Sequence, residues 1–281
     1  MTAPTTNGRT DPSLAAPDPA ADHDWREAGS AWGHAAEDWS CLFEHYATAA
    51  ITAIHRRTEV GPGTTLLDVA CGSGLALVHA ADAGATVHGL DAAEPLVEIA
   101  RDRLPGVDVR LGSMYDLPWP AASFDVVTSI NGVWGGCDAA VVEAHRVLRP
   151  GGWLAISFWG DGEPLDLRPV FKVFARHAPE THFSGMKRLN DIAHHGVAEA
   201  MLADGGFVDI ERHHRVSVIE WPDPDIAWRA LSSTGPAVPA LEHVGHAALK
   251  EAVLRALEHC RDERGTYRFR NDHQIVLGRR P

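Results

Sequence analysis

The 281-residue chain predicts an α/β fold built on an open, doubly wound sheet, and three observations carry that prediction. A short apolar strand, Thr64 to Ala70, runs into a turn with two glycines and then into the helix-forming run Leu75 to Ala81. That order reads as strand, tight turn, helix. The alternation then repeats. Strands are expected at Ala85–Leu90, Val107–Leu111, Ser123–Ile130 and Trp153–Phe158, with helices at Ala92–Leu104 and Cys137–Leu148 between them. Two further strands, Val208–Trp221 and Gly265–Arg279, close the chain.

The first strand and its turn read LLDVACGSG over Leu66–Gly74. At Gly72 and Gly74 no Cβ stands between a ligand and the backbone. The helix that follows presents free N–H groups to whatever sits there. A nicotinamide-binding turn wants a third glycine for close helix–strand packing. Leu77 holds that place and argues against a dinucleotide. The second strand ends at Asp91, 23 positions after Asp68. An acid there accepts hydrogen bonds from a ribose diol, and an ionised carboxylate is an acceptor only. Asn131 and Trp134 follow the carboxyl end of the fourth strand, where ligands collect in open α/β sheets. Asn131 is therefore expected to touch cofactor or substrate, and Trp134 to form a substrate wall.

Together these residues resemble the class I S-adenosylmethionine-dependent methyltransferases. Asp68 followed by Cys71-Gly72-Ser73-Gly74 matches their first motif, an acid, two residues, then C/G-G-x-G. Ser123-Phe124-Asp125-Val126-Val127 matches S-F-D-V-V, and Glu143 to Gly152 matches E-x-x-R-V-L-x-P-G-G. Gly112 to Trp119 looks like the family's G-D-A-x-x-L-P-F, where the acid binds the adenine amino group. Here Ser113 replaces that acid with an uncharged hydroxyl, and Met114 offers a backbone N–H and an apolar ring contact. The resemblance implies a Rossmann-like seven-stranded sheet with a final antiparallel β-hairpin. It implies S-adenosyl-L-methionine as cofactor and S-adenosyl-L-homocysteine as product. The expected cofactor contacts are Asp68, Ala70, Gly72, Gly74, Asp91, Ala92, Ser113, Met114 and Asn131.

Around this core the chain divides. Residues 1–24, rich in Pro, Ala, Thr and Asp, read as a disordered tail. Residues 25–60 read as a helical lid, because Trp25, Trp32, Trp39 and Tyr46 recur every seven positions along one helical face. Gly29 and Gly33 interrupt it, so two helices with a hinge are expected. Related methyltransferases close such a lid over the methionine end of the cofactor, which makes Trp39 and Tyr46 the expected contacts. Residues 61–281 are the methyltransferase domain, with a substrate cap at about 160–205 and 222–262. Helices are expected there at Leu165–Ala178, Leu189–Ala203 and Leu241–Cys260.

The cofactor's sulfonium makes its methyl group electrophilic without a metal. The protein must hold a nucleophile in line at ~3 Å, and an oxygen or nitrogen nucleophile gains from a base. Histidine suits that role, and among seventeen the expected bases are His182 and His194, with His195 as a substrate contact. In a helix His194 and His195 point about 100° apart, so at most one faces a pocket. A metal would want acids clustered near Asn131, where only Asp138 is close, so no metal is expected. A net charge of -13 repels nucleic-acid phosphates. The basic run Arg268–Arg280 alternates with strand residues and is expected along an edge strand. Cys41, Cys71, Cys137 and Cys260 form no C-x-x-C pair. No apolar run approaches the ~20 residues that span a bilayer, and no signal core opens the chain. A cytoplasmic setting is expected, and monomer and homodimer are equally open. The expected reaction moves a methyl group to oxygen or nitrogen of a small apolar or aromatic metabolite in secondary metabolism. C-methylation, a cyclisation on the same fold, or cofactor binding without turnover are the alternatives.

Overall fold

The computed structural model describes residues 21–179 and 191–281, with side chains from Trp25 onward. Its strands are β1 (Thr65–Val69), β2 (Thr86–Asp91), β3 (Asp108–Leu111), β4 (Phe124–Ile130), β5 (Leu148–Trp159), β6 (Val208–Trp221) and β7 (Tyr267–Arg279). They form one sheet in the order β3-β2-β1-β4-β5-β7-β6. The first five run parallel, and β7 runs antiparallel to both β5 and β6. Strand order reverses between β1 and β4, so ligands are directed to the crevice above their carboxyl ends.

The helices are α1 (Ala21–Gly33), α2 (Ala36–Leu42), α3 (Thr48–Arg57), α4 (Leu75–Asp82), α5 (Glu94–Arg103), α6 (Asp138–Val147), α7 (Arg168–His177), α8 (Val197–Asp204), α9 (Pro224–Ser232), α10 (Val238–Val244) and α11 (His246–Ala256). They cover both faces of the sheet, which is why β1 and β4 are buried along most of their length rather than alternating between buried and exposed. On one face Leu66, Val87 and Val126 pack against Leu77, Ala80 and Val97 of α4 and α5. On the other, Leu67, Val127 and Ile156 pack against Val141 and Leu202 of α6 and α8. Ala50 and Ile54 of α3 cover Ala155, Ile275 and Leu277.

The lid breaks between α1 and α2, giving the two expected helices, and Tyr46 lies beyond them in a 3-10 turn, Glu44–Ala47. In the region expected to be the cap, α7 and α9–α11 pack on the upper β6–β7 ribbon. Phe174, Trp228, Leu249 and Val253 meet Trp221, Tyr267 and Phe269, and Phe43 and Ile51 join them from the lid side.

Three expectations are corrected. The basic run is not on an edge: β7 lies between β5 and β6, and β6 is the edge. Above the reach of β5 the upper part of β7 pairs with β6 and meets Leu165 in a short bridge, and there Tyr267 and Phe269 are buried under the packed helices while Arg268 and Arg270 are wet. Alternation reports that one wet face, not the strand's place in the sheet. The long helix Leu241–Cys260 is split by Gly245, at φ 78°, ψ 163°, into α10, α11 and a 3-10 turn. The helix Leu189–Ala203 is likewise shortened. Gly196, at φ 90°, starts α8 at Val197, leaving Asp191–Ala193 as a 3-10 turn and His194 and His195 in the link. Moreover α8 buries Ala198, Met201 and Leu202 against the sheet layer, so it is not part of the cap. No helix among the described residues is long and apolar enough to cross a membrane.

Candidate functional site

β1 delivers the chain into a turn where Ala70, Gly72 and Gly74 all have positive φ (58°, 55° and 84°). Glycine takes that backbone freely. Alanine does so at a cost, and such strain clusters at functional sites. Asp91 fixes the turn. One carboxylate oxygen accepts the Gly72 N–H at 2.7 Å and the other the Ala93 N–H at 2.8 Å. The acid thus ties the glycine turn to the start of α5, and each oxygen keeps a lone pair for a further donor. Burial pushes its pKa up against those backbone hydrogen bonds.

Asp68, on β1 opposite Gly89 of β2, is buried. Its one hydrogen bond comes from the Thr128 hydroxyl on β4, at 2.6 Å. Burial pushes its pKa up to about 7, and the neighbouring Asp91 carboxylate acts in the same direction. A third acid, Glu44, descends from the lid, 2% exposed. It accepts from the Ser73 hydroxyl, and the Arg103 guanidinium donates to it at 2.6 Å while also reaching the Ser73 carbonyl at 3.1 Å. The Glu44 turn is therefore tied to the glycine turn and to α5 by an ion pair whose carboxylate is buried and whose guanidinium is 29% exposed. Removing Arg103 leaves the Glu44 carboxylate without its cation. Arg103→Ala is expected to cost about 1–2 kcal/mol, less than a fully buried pair because the guanidinium is partly in water, read as a fall in the urea midpoint. An unchanged midpoint would show that this pair does not hold the lid.

The lid's aromatic rings finish the enclosure. The Trp39 ring lies on Gly72, so close that a Cβ there would come within 3.0 Å of it. Its indole N–H is buried with no partner among the described residues. Between Trp39, Tyr46, Asp68, Ala70 and Ile130 about 30 Å³ of space remains, against the ~300–1,000 Å³ of ordinary ligand sites. Elsewhere the lid is pinned to the cap. Arg229 of α9 pairs with Asp38, and Trp221 Nε1 donates to the Leu42 carbonyl at 2.9 Å. Gly29 lets α1 rest on Ala92, whose carbonyl a Cβ would strike.

At the upper end of β4 a polar chain crosses the sheet. His273, on β7, lies with Nε2 2.8 Å from Asn131 Oδ1. A carbonyl oxygen only accepts, so Nε2 carries the proton. Nδ1 is left to accept from the Ser217 hydroxyl at 3.4 Å. The Asn131 side chain also hydrogen-bonds the Tyr46 hydroxyl. Trp159 stacks on the His273 ring at 5.2 Å and meets Tyr46 at 4.6 Å. Burial holds His273 down to about 3, so the imidazole is neutral at any working pH.

The structure therefore gathers Asp68, Ala70, Gly72, Asp91, Trp39, Tyr46 and Asn131 about one place, with Gly74 capping α4 beside it. Ala92 and Ser113 flank Asp91. The Gly112 N–H donates to the Asp91 carbonyl at 2.9 Å, and the Ser113 hydroxyl accepts the Tyr115 N–H at 3.2 Å. Met114 and Trp134 pack against the core layer of Leu117 and Val133. His194 and His195 stand apart from this group. Both are exposed, and His194 Nδ1 lies 2.8 Å from Asp161 Oδ2. His182 lies outside the described residues. Glu44, Arg103, Trp159 and His273 are site residues that no motif flags. One group with metal-ligand donors, Asp166, His259 and Cys260, occurs among the described residues and lines none of this cavity.

Two buried acids without a cation among the described residues, beside a glycine turn, suit a nucleoside that carries positive charge. S-adenosylmethionine, with its sulfonium and ammonium, fits that donor set. The family described as "Methyltransferase domain" matches residues 67–156. A Mycolicibacterium smegmatis protein described as a probable S-adenosylmethionine-dependent methyltransferase is 32% identical over 167 residues, spanning 56% of this chain and 63% of that protein. Nocamycin O-methyltransferase of Saccharothrix syringae is 35% identical over 192 residues, spanning 59% of this chain and 68% of that enzyme. The solved structure of Haemonchus contortus phosphoethanolamine N-methyltransferase 2 with S-adenosyl-L-methionine aligns with TM-score 0.52 at 18% identity. It covers 83% of this chain and 52% of that one, and shows the shared fold. Strand order, glycine turn and relatives agree, and the chain belongs to the class I S-adenosylmethionine-dependent methyltransferases.

Proposed function

We propose that this protein methylates an oxygen atom of a small apolar or aromatic metabolite. The observation that carries the reading is the presence of Asp68 and Asp91 at the glycine turn, with Tyr46 on the wall of the cavity beside it and Asn131 hydrogen-bonded to Tyr46. The choice of oxygen is supported by the nocamycin relative, whose name states that atom.

When bound, the cofactor supplies an electrophilic methyl group on a cationic sulfur. The ionised Asp68 would face that positive charge, and Asp91 would accept from the ribose. Ser113 and Met114 would border the adenine. Trp39 and Tyr46 would cover the methionine end and exclude water. His273 holds the Asn131 amide, and that amide holds the Tyr46 hydroxyl, so the acceptor meets a wall whose polar atoms are fixed in advance. Placement of this kind supplies several kcal/mol of the barrier. The closed lid leaves too little room for a nucleoside, so entry requires Trp39 to lift from Gly72. A phenolic or enolic hydroxyl, already acidic, needs little help from a base. That suits a site where His194 faces solvent.

The test is incubation of the purified protein with S-adenosylmethionine and a panel of phenols, enols and amines, followed by mass spectrometry. Release of S-adenosylhomocysteine with an oxygen-methylated product is expected. Methylation confined to nitrogen or carbon would contradict the proposal.

A further inference from the structure

A second cleft, about 750 Å³, opens between α3 and the β6–β7 ribbon. Its rim carries Arg56, Arg57 and Arg215 with His45 and His213. Glu211 offsets part of that charge by pairing with Arg57 and His213. Arg215 donates to the His214 carbonyl, and neither it nor Arg56 has a carboxylate partner among the described residues. In a chain of net charge -13, two such arginines in one cleft reverse the local field. On the face that Arg215 shares with α3 the cleft is apolar, lined by Ile275 and Leu277 of β7 and by Ala49 and Ala53 of α3.

The cleft also leads somewhere. Tyr46 and Ser217 line it. Tyr46 is at the same time a wall of the cofactor cavity, and Ser217 hydrogen-bonds His273. Arg215 is the direct register partner of His273 across the β6–β7 ladder, and paired residues face the same way. The guanidinium therefore rises beside the ring that fixes Asn131.

We infer that this cleft holds the outer part of the methyl acceptor, and that the acceptor is an apolar organic anion gripped by Arg56 and Arg215. This rests on the methyltransferase reading above. Guanidinium is suited to a carboxylate or a comparable ionised oxygen acid, because its planar fork donates two hydrogen bonds at once. The isoleucine, leucine and alanine lining takes the apolar frame. The volume is that of a site for a whole small ligand.

The probe is 8-anilinonaphthalene-1-sulfonate, an apolar aromatic anion, followed by fluorescence at low ionic strength. Its uncharged counterpart, N-phenyl-1-naphthylamine, is the comparison. Wild-type protein is expected to bind the anion at least tenfold more tightly than the neutral dye, and to lose that preference at high salt. The double variant Arg56→Gln/Arg215→Gln is expected to weaken the anion tenfold or more and to leave the neutral dye unchanged. A steric variant, Thr52→Trp, is expected to exclude both dyes. Equal binding of the two dyes, or full anion affinity in the double variant, would overturn the inference. Calorimetry with S-adenosylhomocysteine on the same samples keeps the two readings apart. Failure there removes the methyltransferase reading, while the dyes still decide whether the cleft selects anions.

Discussion

Affinity for S-adenosylhomocysteine is expected to fall by up to about a hundredfold between pH 8 and pH 5. Asp68 is buried, has one hydrogen-bond donor, and titrates at about 7 because burial disfavours its charged form. A ligand with a positive ammonium prefers the carboxylate to the acid. Each pH unit below 7 therefore removes about a factor of ten of the competent form. The sign for folding is opposite. Between about pH 4 and 7 the folded chain keeps a proton that an unfolded Asp has lost, so this group stabilises the fold as pH falls. Weaker binding at pH 5 would then occur without a fall in thermal midpoint from this source, which separates it from acid unfolding. Asp68→Asn should bind weakly and with a flat profile over the same range. A flat profile in the wild type would remove Asp68 from the cofactor's surroundings.

Asp91→Ala should be damaging in two readouts at once. The carboxylate satisfies the Gly72 and Ala93 N–H groups at 2.7 and 2.8 Å, in a position 7% exposed. Losing it strands two buried donors, each worth ~1–3 kcal/mol when unpaired. The glycine turn would lose its tie to α5, and a ribose its acceptor. The denaturant midpoint should drop by about 2 kcal/mol or more, and S-adenosylhomocysteine affinity by tenfold or more. Asp91→Asn keeps one acceptor oxygen and should fall between. Loss of stability with cofactor affinity intact would assign Asp91 to the turn alone.

What could be read from the sequence is what lies close together along it. The turn at Leu66–Gly74, the five parallel strands and the closing strands are local patterns, and the structure has them in that order, with a loop rather than a helix between β3 and β4. The break into α1 and α2 was legible from the glycines that interrupt the seven-residue aromatic spacing. That spacing says which rings share a face, not where they land, and so the seat of Trp39 on Gly72 was not legible. Long-range pairings were equally silent. His273 and Asn131 are 142 positions apart, and Glu44 and Ser73 are 29 apart. The helix reading at His194 failed at a single glycine, Gly196, whose left-handed backbone ends one segment and starts another. With that break the histidine turns to solvent and to Asp161. The interior place of β7 could not be inferred from its alternation, because a ribbon with one wet face alternates wherever it sits.

The measurement that bears most directly on the account is a crystal structure of the full chain with S-adenosylhomocysteine. The account predicts the ribose on Asp91, the amino group near Asp68, and the Trp39 ring displaced from Gly72. A nucleoside bound elsewhere, or Trp39 still lying on Gly72, would contradict it.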